Sequence, residues 1–302
     1  MNMDQEEPIE IRIAILKEWI QESDCIILGA GAGLSSAAGY TYTEERFKRY
    51  FSDFEKAYDV HDMYSLGFYP FKTEEEKWAF FSRYVYINRY GKKESSLYDE
   101  LYALLKDKDY FVITTNVDHL FQKAGFPKER LFYMQGDYGL FQCSEPCHEK
   151  TYDNKDIIKE MVLSQGYQFE EDGDILLEKG RKEPRRSIPS YLIPRCPRCQ
   201  KEMSMNLRCD STFVEDEGSH RARNRYEEYL RKHRNEKILF LELGVGFNTP
   251  GIIKYPFWQM TYEFRKARYV SINQKEAYVP NEIMDRAMGI DIDIQSAVSR
   301  LM

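Results

Sequence analysis

The sequence predicts an α/β protein: a Rossmann-like, doubly wound parallel sheet carrying a smaller helical module and a cysteine-bearing insertion. Three observations predict it. Short apolar runs at 25–28, 110–115, 131–134, 238–243, 269–272 and 289–292 read as buried strands. Helical stretches at 96–105, 120–124, 221–235 and 256–266 lie between them, and strands alternating with helices build a parallel sheet. Four of the six cysteines stand apart from that alternation in two close pairs, Cys143/Cys147 and Cys196/Cys199.

In chain order, Ile9, Ile13, Leu16 and Ile20 fall at helical spacing, so a helix spans 8–22 and Ser23 and Asp24 break it. Cys25-Ile-Ile-Leu28 then runs into G-A-G-A-G-L-S-S-A-A-G: a strand, a glycine loop and a small-residue helix start. Residues 41–95 are aromatic and charged, with Phe47, Phe51, Phe54, Trp78 and Phe80 among them, and predict two or three helices packed as a side module. Residues 143–210 hold the cysteine pairs around a very polar middle and read as an insertion. The Rossmann-like domain is then 8–40, 96–142 and 211–302, with a terminal helix after its last strand.

A length of 302 residues suits one large domain or a large domain with a small one inserted, and 42% hydrophobic residues suffice for a core. The formal net charge of -7 argues against a chain that coats nucleic acid or an anionic membrane. The N-terminus M-N-M-D-Q-E-E-P has no basic stretch followed by an apolar core, and no run approaches the roughly 20 apolar residues of a membrane span. The expectation is a soluble, cytoplasmic protein without a nucleic-acid or membrane partner.

In a cytoplasmic chain, paired cysteines read as metal ligands before disulfides. Cys143-x3-Cys147 and Cys196-Pro-Arg-Cys199 can place four thiolates around a tetrahedral zinc, which makes 143–210 a zinc-binding module. With no open position such a zinc is structural. Unpaired reduced cysteines are the alternative, and His148 and Cys209 are competing ligands.

Gly29, Gly31 and Gly33 follow the first strand directly. Glycines there allow close backbone approach to a phosphate, with Ser35 and Ser36 adding hydroxyls, so the loop reads as a dinucleotide site or else as a plain structural turn. The third glycine of the hydride-transfer fingerprint is absent, Ser36 standing in its place. No strand ending in Asp or Glu follows about 20 residues on, which argues against an ordinary dehydrogenase.

Polar residues recur at other strand ends. Thr114-Thr115-Asn116-Val117-Asp118 follows one strand, where Asn116 and Asp118 can meet a ligand, cap a helix, or both. Gly244-Val-Gly-Phe-Asn248 follows another, Ser271-Ile272-Asn273 ends a third, and Gln135-Gly136 ends a fourth. Together they make one shared crevice credible. His61, His119, His220 and His233 read as surface or capping residues, and the mixed-sign tract Arg221–Arg234 as a solvated helix face.

As an ordered set these motifs resemble the sirtuin family, over roughly residues 10–300. Gly31-Ala-Gly-Leu-Ser-Ser-Ala-Ala-Gly39 is similar to its first glycine motif, Thr115-Asn-Val-Asp118 to its T-x-N-I-D element, and Gly244-Val-Gly-Phe247 and Ile272-Asn273 to its later segments. Both cysteine pairs match its zinc module. The resemblance implies cleavage of NAD at the nicotinamide–ribose bond, with Asn116 and Asp118 at the ribose and nicotinamide. It implies phosphate contacts at Gly31, Ala32, Gly33 and Ser35 and along Gly244, Gly246, Phe247 and Asn248, and an adenosine-side contact at Asn273. Tyr42 and Arg46 follow the glycine motif and join the implied cofactor set.

Two departures set the chemistry. Deacylating sirtuins continue the glycine motif with Pro-Asp-Phe-Arg, whereas this chain has Tyr40-Thr-Tyr-Thr-Glu44, its arginine displaced to Arg46. Where the family has His-Gly, this chain has Gln135-Gly136. Deacylation needs a base with a pKa near neutrality to deprotonate a ribose hydroxyl, and an amide cannot serve. Gln135 can still orient a group, so loss of nicotinamide survives while deacylation weakens. Capture of the ribosyl carbon by a protein nucleophile is mono-ADP-ribosylation, and a carboxylate acceptor needs no general base. Both departures resemble the class M, macrodomain-linked sirtuins. That resemblance implies a lipoylated, glycine-cleavage-H-like carrier as substrate, a separate macrodomain hydrolase as eraser, and a role in oxidative stress. The expectation is an NAD-dependent protein mono-ADP-ribosyltransferase in which Asn116, Gln135 and Asp118 are catalytic. A weak lysine deacylase using Asp137 or Asp118 as base, a non-catalytic NAD sensor and a free NAD hydrolase are the rivals.

Overall fold

The structure, a computed structural model, describes residues 8–302. Residues 1–7, part of the acidic N-terminus that argued against a secretory signal, lie outside the described residues. The strands are β1 (Cys25–Ala30), β2 (Tyr110–Thr114), β3 (Leu131–Tyr133), β4 (Gly136–Cys143), β5 (Tyr152–Asp153), β6 (Tyr167–Phe169), β7 (Ile175–Leu177), β8 (Met203–Leu207), β9 (Ile238–Leu243), β10 (Arg268–Ile272) and β11 (Ala287–Ile290). The chain divides into two compact units, one from residues through 39, 95–135 and 218–302, the other from 40–94 and 136–217.

This division differs from the boundaries drawn on the sequence. The helical and cysteine segments share one unit, and the junctions fall at 135/136 and 217/218. The reason is β4: it pairs antiparallel with β5 and β8 instead of joining the parallel sheet, so the chain changes unit directly after Gln135.

In the first unit six strands form one parallel sheet in the order β11-β10-β9-β1-β2-β3. Every residue of β1 and β9 is buried, as strands covered on both faces require, which is why their sequences are apolar runs, broken in β9 only by Glu242. The helix Ile9–Glu22 buries Ile13, Leu16 and Ile20. Chain order runs outward from β1 in one direction through β2 and β3, then in the other through β9, β10 and β11. The switch point therefore lies between β1 and β9, where such sheets open a ligand crevice at their carboxyl edge.

The helix Glu217–His233 corrects one expectation. It is not simply a solvated face: Ala222, Tyr226, Tyr229 and Leu230 pack on the core around Phe111 and Phe240, and the mixed charges occupy the remaining surface. His233, expected at the surface, is 3% exposed.

The second unit contains the helices Glu44–Tyr58, Met63–Gly67 and Glu74–Val85, the last running into a π-turn at Tyr86–Tyr90. Phe47, Phe51, Phe54 and Phe80 are its buried rings. Among them Arg83, fully buried, meets both oxygens of Asp53 at 2.8 Å, the bidentate pairing that a buried guanidinium needs. The polar stretch 151–195 supplies β5, a helix at Lys155–Ser164 and the β6–β7 hairpin. No helix among the described residues is long and apolar enough to cross a membrane.

Candidate functional site

Register aligns the strand ends. Ala30 sits opposite Thr114 on one side and Leu243 on the other, Leu243 opposite Ile272, and Thr114 opposite Tyr133. Gly31, Asn116, Gln135, Gly244 and Asn273 therefore all emerge at one carboxyl edge of the first unit. This is why sequence-distant motifs converge.

The glycines here are steric necessities. A Cβ on Gly31 would lie 2.6 Å from the Gly244 carbonyl oxygen, and one on Gly33 would lie 2.8 Å from the Gly244 Cα. Gly244 has φ +63°, in the left-handed region that glycine favours, and a Cβ there would meet the Leu34 nitrogen at 2.3 Å. The N–H of Gly31 donates to Leu243 O and that of Gly33 to Gly244 O, so both are spent on locking the β1 and β9 loops together. Ala32 opens the six-residue helix Ala32–Ala37.

Behind the loop lies a buried polar cluster. Ser35 Oγ donates to Asp118 Oδ2 at 2.5 Å and lies 3.0 Å from the Tyr98 hydroxyl. Asn116 Nδ2 donates to Gly31 O at 2.9 Å and reaches the same Tyr98 hydroxyl at 3.4 Å. Asp118 Oδ1 also accepts the Leu120 N–H at 3.0 Å, a turn contact one residue ahead of His119, which is the N-cap of the helix Leu120–Lys123. Ser35 thus points its hydroxyl at Asp118. Tyr98 was missed by sequence reasoning, because a tyrosine in an apolar helix reads as core; it ties the glycine loop to the Asn116 turn.

Gln135 is the second residue of the two-residue turn between β3 and β4. Its Oε1 is buried and makes no hydrogen bond, an acceptor with no donor among the described residues. Such an atom normally finds a partner, which points to a ligand donor at this position.

Past β9, Asn273 Nδ2 donates to Val245 O at 3.2 Å, fastening the β10 end to the Gly244–Asn248 loop. A Cβ on Gly246 would stand 3.0 Å from Glu276 Oε2. Phe247 is 43% exposed and Asn248 is exposed. Beneath the loop is a second group that the sequence reading missed. Glu242 and Lys254, both fully buried, pair at 2.5 Å, and Tyr269 and Ser271 each donate to Glu242 at 2.9 Å. Burial pushes the Glu242 carboxyl up, against the pull of the Lys254 ammonium. Lys254 Nζ also lies 5.1 Å from the Phe247 ring centre, so the pair supports the loop from below. One acidic residue inside the apolar run I-L-F-L-E-L was its sequence signal.

The remaining candidates belong to the second unit. Tyr42 Oη lies 3.0 Å from Tyr138 Oη, which lies 2.6 Å from Tyr84 Oη, a chain of three phenols. Burial pushes the Tyr84 and Tyr138 hydroxyls well above their usual pKa. Arg46 donates to Thr41 O, Asn88 Oδ1 and Ile87 O at 3.1, 2.8 and 2.9 Å, so its guanidinium braces the loop after the glycine motif. Asp137, the substitute base of the deacylase reading, accepts from Arg89 Nε at 2.7 Å and from the Gly139 N–H at 2.6 Å. A carboxylate so held serves as a brace.

The four cysteines converge. Cys143 and Cys199 sulfurs are 3.5 Å apart and Cys147 and Cys196 sulfurs 3.7 Å apart, and all four lie within 4.8 Å of one another. Tetrahedral zinc with Zn–S near 2.3 Å requires about 3.8 Å between sulfurs, so the set fits that ion. Although burial acts to raise it, backbone N–H groups of Cys199 and Arg198 bring the Cys196 thiol down to about 7. His148 bonds the Cys147 sulfur at 3.0 Å and Tyr152 Oη at 2.8 Å from outside the cluster, and Cys209 is exposed and apart from it.

No protein-family model matches the chain. A protein ADP-ribosyltransferase of Staphylococcus aureus is 36% identical over 286 residues, covering 94% of this chain and 85% of that protein. A probable bifunctional ADP-ribose hydrolase/ADP-ribosyltransferase of Fusarium oxysporum is 31% identical over 252 residues, covering 81% of this chain and 39% of that protein. Among solved structures, one described under sirtuin substrate affinity has a TM-score of 0.56 at 19% identity, and a Sir2–p53 peptide–NAD+ complex has 0.55 at 17%. Each covers 96% of this chain and 97% of its own. The parallel sheet with its four-cysteine module is the Sir2 fold, and identity of this depth and length adds the lineage: the chain belongs to the sirtuin family, on the side of the protein ADP-ribosyltransferases.

Proposed function

We propose that this enzyme is an NAD-dependent protein mono-ADP-ribosyltransferase whose acceptor is a lipoylated, glycine-cleavage-H-like carrier, acting in an oxidative stress response. The observation that carries the transferase reading is Gln135: an amide stands where a base would be required, and its Oε1 is a buried acceptor without a donor. NAD supplies the ADP-ribosyl group, its nicotinamide–ribose bond breaking at C1′ as a protein nucleophile takes that carbon.

The residues divide the work by chemistry. Gln135 Oε1 accepts a hydroxyl of the ribose or orients the incoming group. Asn116, its side chain fixed on Gly31 O, positions the ribose. Asp118, oriented by Ser35 and the Leu120 N–H, serves the carboxamide or positive charge at the ribose. The close packing of Gly31 and Gly33 on Gly244 fixes the glycine loop that would carry the pyrophosphate, a packing that a side chain at any of the three would break. The Cys143, Cys147, Cys196 and Cys199 thiolates hold a structural zinc. The same pairing of writing and removal supports a macrodomain hydrolase as the eraser: the Fusarium relative is described as both ADP-ribose hydrolase and transferase in one protein.

The test uses labelled NAD with purified carrier, lipoylated and unlipoylated. Label on the lipoylated carrier alone supports the full reading. Label on both forms keeps the transferase and removes the lipoyl requirement. Released nicotinamide with no labelled protein makes the enzyme a hydrolase, and NAD bound without cleavage leaves a sensor.

A further inference from the structure

At the opposite, amino edge of the same sheet is a second cluster that the proposed transferase chemistry does not use. Cys25 opens β1, and His233 and Glu236 close the helix and turn leading to β9. The length of β1 separates Cys25 from Gly31 by about 20 Å. We propose that Cys25, His233 and Glu236 form a second metal site, built for a zinc-like divalent ion with three protein ligands and one open position.

The geometry supports it in three ways. One ligand atom from each residue lies within 4.8 Å of the other two, which small rotamer movements bring to the separations that a tetrahedral ion imposes. Sulfur, imidazole nitrogen and carboxylate oxygen together are the donor set of a borderline-soft ion, whereas calcium or magnesium take oxygen alone. The His233 ring is 97% buried by its 3% exposure, so the imidazole is held in place beside Cys25 and Glu236.

The surroundings fit a ligating histidine. His233 Nδ1 and Glu236 Oε2 share a hydrogen bond at 2.5 Å, and an ion between them would take the place of its proton. Its Nε2 faces Asp109 Oδ2 at 3.5 Å, the place of the outer carboxylate that commonly orients a metal-bound imidazole. Asp109 is itself held by Arg130 at 3.1 Å and by the Tyr229 hydroxyl at 3.2 Å. The Glu236 side chain is 42% exposed, which gives the ion its entry and a water the open position. On binding, the Cys25 sulfur gives its proton to solvent and forms the metal–sulfur bond.

Zinc bound per chain, titrated against free zinc through saturation of the weaker wild-type site, tests this in the full-length, reduced protein. Two zinc ions per chain are expected in the wild type and one in Cys25→Ala. Glu236→Ala, at a half-exposed position that cannot threaten the core, is expected to bind the second zinc at least about tenfold more weakly. Far-UV circular dichroism checks each fold. If Cys25→Ala fails to fold, Glu236→Ala carries the test alone. One zinc in the wild type, or an unweakened second zinc in either variant, overturns the site.

Discussion

At the scale of single residues, the candidate site rests on a few hydrogen bonds whose removal has distinct outcomes. Asn116→Ala deletes the bond to Gly31 O and frees the turn, so it should lower ADP-ribosyl transfer about a hundredfold while the melting temperature stays close to wild type. Gln135→Leu keeps the size and removes the acceptor. It should lower kcat far more than it raises the KM for NAD, as steady-state kinetics would show; equal loss in the KM alone would reduce Gln135 to a binding residue. The motif positions Gly31, Asn116, Asp118 and Asn273 were legible in the sequence because each stands at the end of an apolar run. Tyr98 and Glu242 were not, since a side chain's partners across the fold leave no trace in its own neighbourhood.

At the scale of elements, buried charge makes the sharpest predictions. Lys254→Met leaves the buried Glu242 carboxylate without its countercharge, held only by the Tyr269 and Ser271 hydroxyls, and should destabilise the protein by about 3–5 kcal/mol, while the Glu242→Gln/Lys254→Met double variant should recover much of it in denaturant titration. In the second unit, Asp174 opens β7 from the hairpin side. Burial acts to raise its pKa, but the Tyr50 hydroxyl at 2.6 Å, the Ile175 N–H at 2.8 Å, and Arg49 and Lys92 outweigh that and hold it below the usual value. Its stabilisation is therefore present in full above the unfolded value of about 3.9 and lost as pH falls through the lower folded one. The stability gap between wild type and Asp174→Asn should be widest near neutral pH and shrink below about pH 4. Chelation of the four-cysteine zinc should melt the β4–β8 sheet, read as lost near-UV dichroism, because two of its thiolates flank the ends of those strands.

At the scale of the whole molecule, ligand linkage gives a global readout. NAD at about 100 times its Kd should stabilise the folded chain by about 2.7 kcal/mol, seen as a raised melting temperature. A melting temperature indifferent to saturating NAD would contradict the assigned cofactor. The sequence by itself determined the parallel sheet, the side-module helices and the paired cysteines. Those features are written in local periodicity and spacing, which burial on both sheet faces and tetrahedral ligation impose on neighbouring residues. Only the tertiary structure decided that β4 leaves the sheet, that Arg46 and Asp137 are braces, that Tyr98 ties two motifs, and that His233 is buried beside Cys25. Each of these depends on partners 18 to more than 200 positions away in the chain, and the tertiary fold, not local sequence, brings such partners within reach.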